Sequence, residues 1–104
     1  MKLLIASDLH GSWEYVSRLS SRIEAEQPDK ILLLGDLLYH GPRNDLPMNY
    51  DTKAVAAYLN SIKSRLLCVR GNCDTEVDQM VLPFPILADY ALIQAGDRTV
   101  FATH

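Results

Sequence analysis

Three short apolar runs constrain this chain most: KLLIAS at 2–7, KILLL at 30–34 and RLLCVR at 65–70, each stopping at a polar cluster. Runs of that length without apolar–polar alternation mark parallel strands covered on both faces. The intervals between them carry helical periodicity, so the chain reads as strand–helix–strand units with right-handed crossovers. Ser12 is placed to cap a helix from Trp13, with Val16, Leu19, Ser20 and Ile23 at helical spacing until Pro28 ends it. Asp51 or Thr52 is placed to cap a second helix, whose stripe is Val55, Tyr58, Leu59 and Ile62. Between these helices, Leu37 to Tyr50 has Gly, Pro and Asn but no periodicity, and structureless loops this long are often functional. After the third run, Asp74 or Thr75 is placed to cap a short helical turn through Met80, and Pro83-Phe84-Pro85 forces extended chain. Residues 86–95 and 99–103 then read as two strands joined by a tight Gly96-Asp97 turn.

A length of 104 residues allows one domain, 1–104, and 48% hydrophobic with 22% charged residues excludes a disordered chain. The net charge of −3 argues against an extended nucleic-acid surface, so any phosphate must be attracted by something other than Lys and Arg. No apolar run is long enough to span a membrane, and the start MKLLIASDLHG meets charge too early for an export signal. Cys68 and Cys73 are too few for a disulfide scaffold, and a reducing cytoplasm is the expected location.

In open parallel sheets, ligands bind beyond the carboxyl ends of the strands. Asp8 and His10 follow the first run, Asp36 the second, Asn72 and Asp74 the third, and His104 the last strand. Singly, each is ordinary turn or cap chemistry. Together they put two carboxylates, two imidazoles and an amide carbonyl on one sheet edge, a donor set for divalent metal. Without a thiolate, that set suits manganese, iron, zinc, cobalt or nickel better than a calcium cage or structural zinc; availability decides among them, with manganese the first expectation. Asp36, on the middle strand, is placed to bridge two ions, one held by Asp8 and His10 and the other by Asn72 and His104. Two ions about 3.5–4 Å apart generate hydroxide and stabilise an in-line displacement at phosphorus, and they supply the missing positive charge.

These residues are familiar as a set. Asp8-Leu9-His10, Gly35-Asp36, Gly71-Asn72-Cys73-Asp74 and a closing Thr103-His104 resemble, in order, the motifs of calcineurin-like metallophosphoesterases. LLGDLLYHGPRNDLP and VRGNCDTEVDQM are similar to the small bacterial YfcE-type phosphodiesterase branch, and the resemblance covers essentially the whole chain. It implies a four-layer α/β/β/α sandwich with a mixed, mostly parallel sheet. It also implies two metal ions on Asp8, His10, Asp36, Asn72 and His104, and hydrolysis of a small phosphodiester by metal-bound hydroxide.

Two departures stand out. Many members of the superfamily have His, their general acid, where Cys73 stands, which leaves the acid unassigned here. The family's later Gly-His-x-His motif is also missing, so the chain is expected to be the amino-terminal portion, with apolar faces among Ile86, Leu87, Tyr90, Leu92, Ile93, Val100 and Phe101 uncovered. A second copy of the chain is therefore a further expected partner. The competing reading is a catalytically weak or inactive interaction scaffold on the same fold. A flavodoxin-like nucleotide domain fits poorly, because Asp8 in SDLHGS would repel phosphate. Among the remaining residues, Cys68 reads as a small buried hydrophobe, Cys73 as a loop residue beside the metals, and Tyr58 as core. Trp13 reads as packing at a helix start, and Arg70 as the cover of a sheet end. His40 and Arg43 read either as phosphate contacts or as parts of a fixed loop.

Overall fold

The computed structural model describes residues 1–104. Ser12 caps α1 (Trp13–Glu26) by accepting the Tyr15 N–H, and Gln27 closes it in the left-handed conformation just before Pro28. Asp51, not Thr52, caps α2 (Thr52–Ser61) through the Ala54 N–H. Thr75, not Asp74, caps the short α3 (Glu76–Val81), in a reciprocal capping box with Asp78.

Strands β1 (Leu3–Ala6), β2 (Lys30–Leu33) and β3 (Leu66–Cys68) form a parallel sheet in the order β1-β2-β3. Ile31 pairs with Leu4 on one side and Leu66 on the other, so β2 is central. Its alternation fills both faces. Ile31 and Leu33 pack with Val16, Ile23, Val55 and Leu59 of the two helices. Leu32 faces the other way and packs with Val69, Ile93 and Ala102. The last two belong to an antiparallel hairpin, β4 (Ala91–Ala95) and β5 (Arg98–Ala102). Helices, parallel sheet and hairpin thus make three successive layers of an α/β arrangement. The Gly96-Asp97 turn forms as expected, with Gly96 at φ +65°.

Three expectations need correction. The first strand is not covered on both faces: β1 is an edge strand, and Ile5 is 54% exposed. The third strand starts a residue late because Lys63–Arg65 form a 3₁₀ turn, in which the Arg65 N–H reaches the Ile62 carbonyl. The strand expected from residue 86 begins only at Ala91. The Gln79 side chain captures the preceding segment, donating to the Leu82 and Phe84 carbonyls and accepting the Ile86 N–H. A backbone satisfied by a side chain has no need of a strand partner.

The loop from Leu37 to Tyr50 forms no helix or strand but is pinned to the start of α1. Trp13 N–H donates to the Asn49 carbonyl, Gly11 N–H to Leu37, and the Ser12 hydroxyl to Met48.

Candidate metal centre

All five residues expected to bind metal lie at the carboxyl ends of their strands and converge on one point. Three of them, Asp8, His10 and Asp36, hold left-handed backbone angles, with φ of 60°, 47° and 57°. Such angles are unfavourable outside glycine and concentrate where the surroundings force a side chain into a required direction.

The forcing comes from the backbone. Asp8 N–H donates to the Gly35 carbonyl and His10 N–H to the Asp36 carbonyl, which clips the loop after β1 onto the loop after β2. The loop after β3 is locked to the loop after β2 by Gly35 and Gly71. A Cβ on Gly35 would strike the backbone of Gly71, and one on Gly71 would strike the Asp36 carboxylate. The two chains pass so closely that neither position admits a side chain.

Asp36 is buried, with Oδ1 accepting the Cys73 N–H at 2.7 Å. No hydrogen bond reaches Oδ2. Instead two imidazole nitrogens face it, His10 Nε2 at 3.7 Å and His104 Nε2 at 3.5 Å. His10 Nδ1 lies 2.8 Å from the Tyr39 carbonyl, and His104 Nδ1 is hydrogen-bonded to the Leu34 carbonyl. A carbonyl only accepts, so in both rings Nδ1 carries a proton, and the ring in its neutral form presents an Nε2 lone pair to the site. His10 Nε2 also lies 3.2 Å from Asp8 Oδ1, and His104 Nε2 lies 3.0 Å from Asn72 Oδ1. Lone pairs facing oxygen repel unless a proton or a cation stands between them. Imidazoles anchored through Nδ1 on backbone carbonyls are the usual arrangement of metal-ligating histidines. The donor set therefore fits divalent cations.

The ionisation pattern agrees. Burial raises the Asp36 carboxyl above its ordinary value against the pull of the Cys73 N–H and His104, and the neighbouring Asp8 raises it further. Burial also pushes Asp8 up, but the hydrogen bond from the Ser7 hydroxyl and the closeness of Asp36, His10 and His104 outweigh it, and Asp8 ends below its ordinary value. Two adjacent carboxylates without a cation cannot both ionise freely. His104 is raised, chiefly by its bond to Leu34 and then by Asp36 and Asp8, with its partial burial opposing.

Donor atoms fall into two overlapping groups within 4.8 Å: Asp8, Asp36 and His104, and His10, Asp36 and Cys73. Asp36 belongs to both. Asn72 joins through its carbonyl beside His104. Cys73 was expected only beside the site, yet its sulfur reaches the donors. Burial, followed by Asp36 and Asp74, raises its thiol above the ordinary cysteine value, which disfavours a free thiolate nucleophile. Cys68 is buried as expected, its thiol pushed up to about 12. Trp13 packs edge-on to the half-buried Tyr58. Arg70 donates to the Asp74 carbonyl and pairs with Glu76, so it does more than cover a sheet end. The His40 ring sits between Tyr39 and Tyr50, and its buried Nδ1 has no partner.

The sequence placed Asp74 after the third strand as a turn or cap residue and missed what it does. It is buried, and its carboxylate accepts the N–H groups of Asp36, Leu37 and Gly71 at 2.8, 2.9 and 2.7 Å. Its only signal was an acid two residues after Asn72, which also reads as a helix cap.

A helix-backed parallel sheet with a hairpin on its other face, and carboxylates, imidazoles and an amide at its strand ends, defines a metallophosphoesterase-type domain. The chain belongs to the calcineurin-like phosphoesterase family, whose model matches residues 1–102. It is 43% identical over 104 residues to Phosphodiesterase YfcE of Escherichia coli strain K12, and equally so to YfcE of strain O157:H7; each alignment covers 100% of this chain and 56% of the relative. The solved structure of Yfce, described as a phosphoesterase from E. coli, superimposes with a TM-score of 0.96 at 42% identity, over 100% of this chain and 57% of that one. The chain thus spans about half the length of the relatives it matches. No helix is long and apolar enough to cross a membrane.

Proposed function

We propose that this chain forms the metal-binding half of a phosphodiesterase that uses two divalent ions, manganese first among them, to hydrolyse a small phosphodiester. One observation carries the reading: two imidazoles, each anchored through Nδ1 on a backbone carbonyl, turn their Nε2 atoms to the same buried Asp36 oxygen. Asp8, His10, Asp36, Asn72 and His104 would hold the ions, with Asp36 shared between them. When bound, the ions supply water activation at neutral pH and neutralise charge developing on phosphorus.

The protein's own contribution is positional. Asp36 Oδ1 stays on the Cys73 N–H, which holds the carboxylate plane and leaves Oδ2 for the ions. The Tyr39 and Leu34 carbonyls keep both imidazoles in the tautomer that ligates. Asn72 presents a neutral oxygen, which adds a ligand without adding negative charge to repel an anionic substrate. Cys73, a neutral thiol at neutral pH, does not match the proton-donating imidazole of other family members, so proton delivery to the leaving group falls to water or to the leaving group's own acidity.

The test compares the protein with Asp36→Asn after manganese loading, by elemental analysis and by hydrolysis of bis(4-nitrophenyl) phosphate. Asparagine keeps the bond from Cys73 but cannot hold two cations together. The expected result is loss of at least one ion per chain and a fall in turnover of about a hundredfold or more, the upper range for disrupted metal sites. Full metal content with unchanged turnover in the variant would refute the bridging role. Chelator-insensitive hydrolysis would refute the metal reading altogether.

A further inference from the structure

The largest cleft in the molecule, about 510 Å³, opens beside the metal centre and shares Asn72 and Cys73 with it. Its far wall comes from the long loop, through Tyr39, Arg43 and Asn44, and its floor from Thr75 at the cap of α3. That volume lies within the usual range for organic ligand sites.

The loop wall is held in place. The Asn44 amide donates to the His40 carbonyl at 2.9 Å. Gly41, at φ +95°, packs where a Cβ would sit 2.8 Å from the Asn44 amide nitrogen and 3.4 Å from the Cys73 sulfur. A side chain there would push the Asn44 amide from its place and crowd the Cys73 sulfur. The cleft is therefore shaped by glycine at one point and by an amide clamp at the next.

Its charge is opposite to that of the metal centre. Asp8, Asp36 and Asp74 crowd the strand ends, yet no carboxylate lines the cleft, and Arg43 is the one cation that does. Arg43 makes no hydrogen bond or ion pair with any residue of the chain. A guanidinium with a free planar fork matches a carboxylate or phosphate in geometry and charge. Tyr39 offers an aromatic surface beside it, and Asn44 and Thr75 offer neutral polar edges.

We propose that this cleft seats the organic substituent of the phosphoester and that Arg43 selects substituents carrying a second anionic group. The inference rests on the phosphoester reading of the metal centre. The scissile phosphorus sits over the donors, the substituent extends past Asn72 and Cys73, and its distal carboxylate or phosphate meets Arg43. An aromatic or heterocyclic spacer fits between, against Tyr39.

The experiment titrates the manganese-loaded protein calorimetrically with two non-hydrolysable probes, phenylphosphonate and 4-carboxyphenylphosphonate, so that the readout is affinity and not turnover. The carboxylated probe is expected to bind about tenfold tighter, the gain appropriate to one charge-assisted contact. Arg43→Ala should bring the two affinities together, and Arg43→Lys, which keeps the charge but loses the fork, should retain part of the difference. Equal affinities in the unsubstituted protein, or a preference that survives Arg43→Ala, would overturn the role of Arg43. Manganese-dependent binding of both probes with equal affinity leaves the phosphoester reading standing and removes the cleft proposal alone. Failure of both probes to bind, with or without manganese, would remove both.

Discussion

The Asp74 carboxylate accepts the backbone N–H of Asp36 at 2.8 Å, and so one buried acid positions another without touching its side chain. The same carboxylate takes the Leu37 and Gly71 N–H groups, tying the loop after β3 to the loop after β2 at the point where the metal donors meet. Hydrogen bonds to a charged acceptor each contribute about 1.5–3 kcal/mol, and a buried donor left without a partner costs a further 1–3 kcal/mol. Asp74→Asn offers one acceptor oxygen and turns an amide N–H₂ toward donors. It is expected to lower stability by about 2–4 kcal/mol, read as a shift in urea midpoint at unchanged slope. It should also weaken metal binding, because the Asp36 backbone loses its anchor and only the Cys73 N–H still holds the carboxylate. A variant within about 0.5 kcal/mol of the parent, the range of ordinary surface changes, would show that the three bonds do not hold the loops together.

How much of this was legible in the sequence depends on the range of the determinant. The donor positions after the parallel sheet were, because helical crossovers deliver the carboxyl ends of β1, β2 and β3 to one edge, where Asp8, His10, Asp36 and Asn72 follow them; His104 follows β5 of the separate antiparallel hairpin and reaches that edge only because the hairpin packs on the sheet. The caps at Ser12 and Asp51 were, because they act across three residues. The interlock of Gly35 with Gly71 was not: both look like turn glycines, and only the spatial crossing of two loops reveals why neither can carry a Cβ. The late start of β4 was hidden for the same reason. Its cause is the Gln79 side chain reaching seven residues forward to Ile86, and no periodicity records that. The two-sided cover expected for β1 failed because an apolar run does not say whether its strand is central or at an edge.

With His104 as a proposed ligand, its raised value gives metal binding a signed pH dependence. Its Nε2 must shed a proton before it can ligate, and in the folded protein that proton is held above the ordinary imidazole value of 6.5. Manganese affinity is therefore expected to rise with pH through that raised value and to level off above it, with proton release measurable in a weakly buffered titration. In metal-free protein the sign is reversed. A raised imidazole stabilises the fold fully below its unfolded value, and that contribution is lost as pH rises through the folded one. Manganese titrations and thermal midpoints between pH 6 and 8.5, with His104→Gln as comparison, check both arms. Affinity that is flat across this window would show that His104 does not bind the ion.

The outer face of the hairpin governs how the 104-residue polypeptide behaves alone. Ile86 and Ile93 are buried, Leu87 and Val100 half-buried, and Tyr90, Leu92 and Phe101 stand out at 57%, 64% and 63% exposure. Leu92 lies directly across from Phe101, and the Tyr90 ring stacks on Phe101 at 5.6 Å. The three side chains therefore form one contiguous apolar patch. Contiguous apolar surface of this kind drives association, and Ile5 on the free edge of β1 adds a second apolar position. The isolated polypeptide is expected to self-associate at micromolar concentration, as read by light scattering. Leu92→Lys with Phe101→Thr should return it to monomer, since lysine solvates the patch and threonine keeps strand propensity. The metal donors lie at the strand ends and not on this face, so the double variant should retain the manganese affinity of the parent. A parent that stays monomeric at 100 µM would show that the patch is too small to associate, and a variant that still oligomerises would place the contact elsewhere, with the β1 edge as the next surface to test.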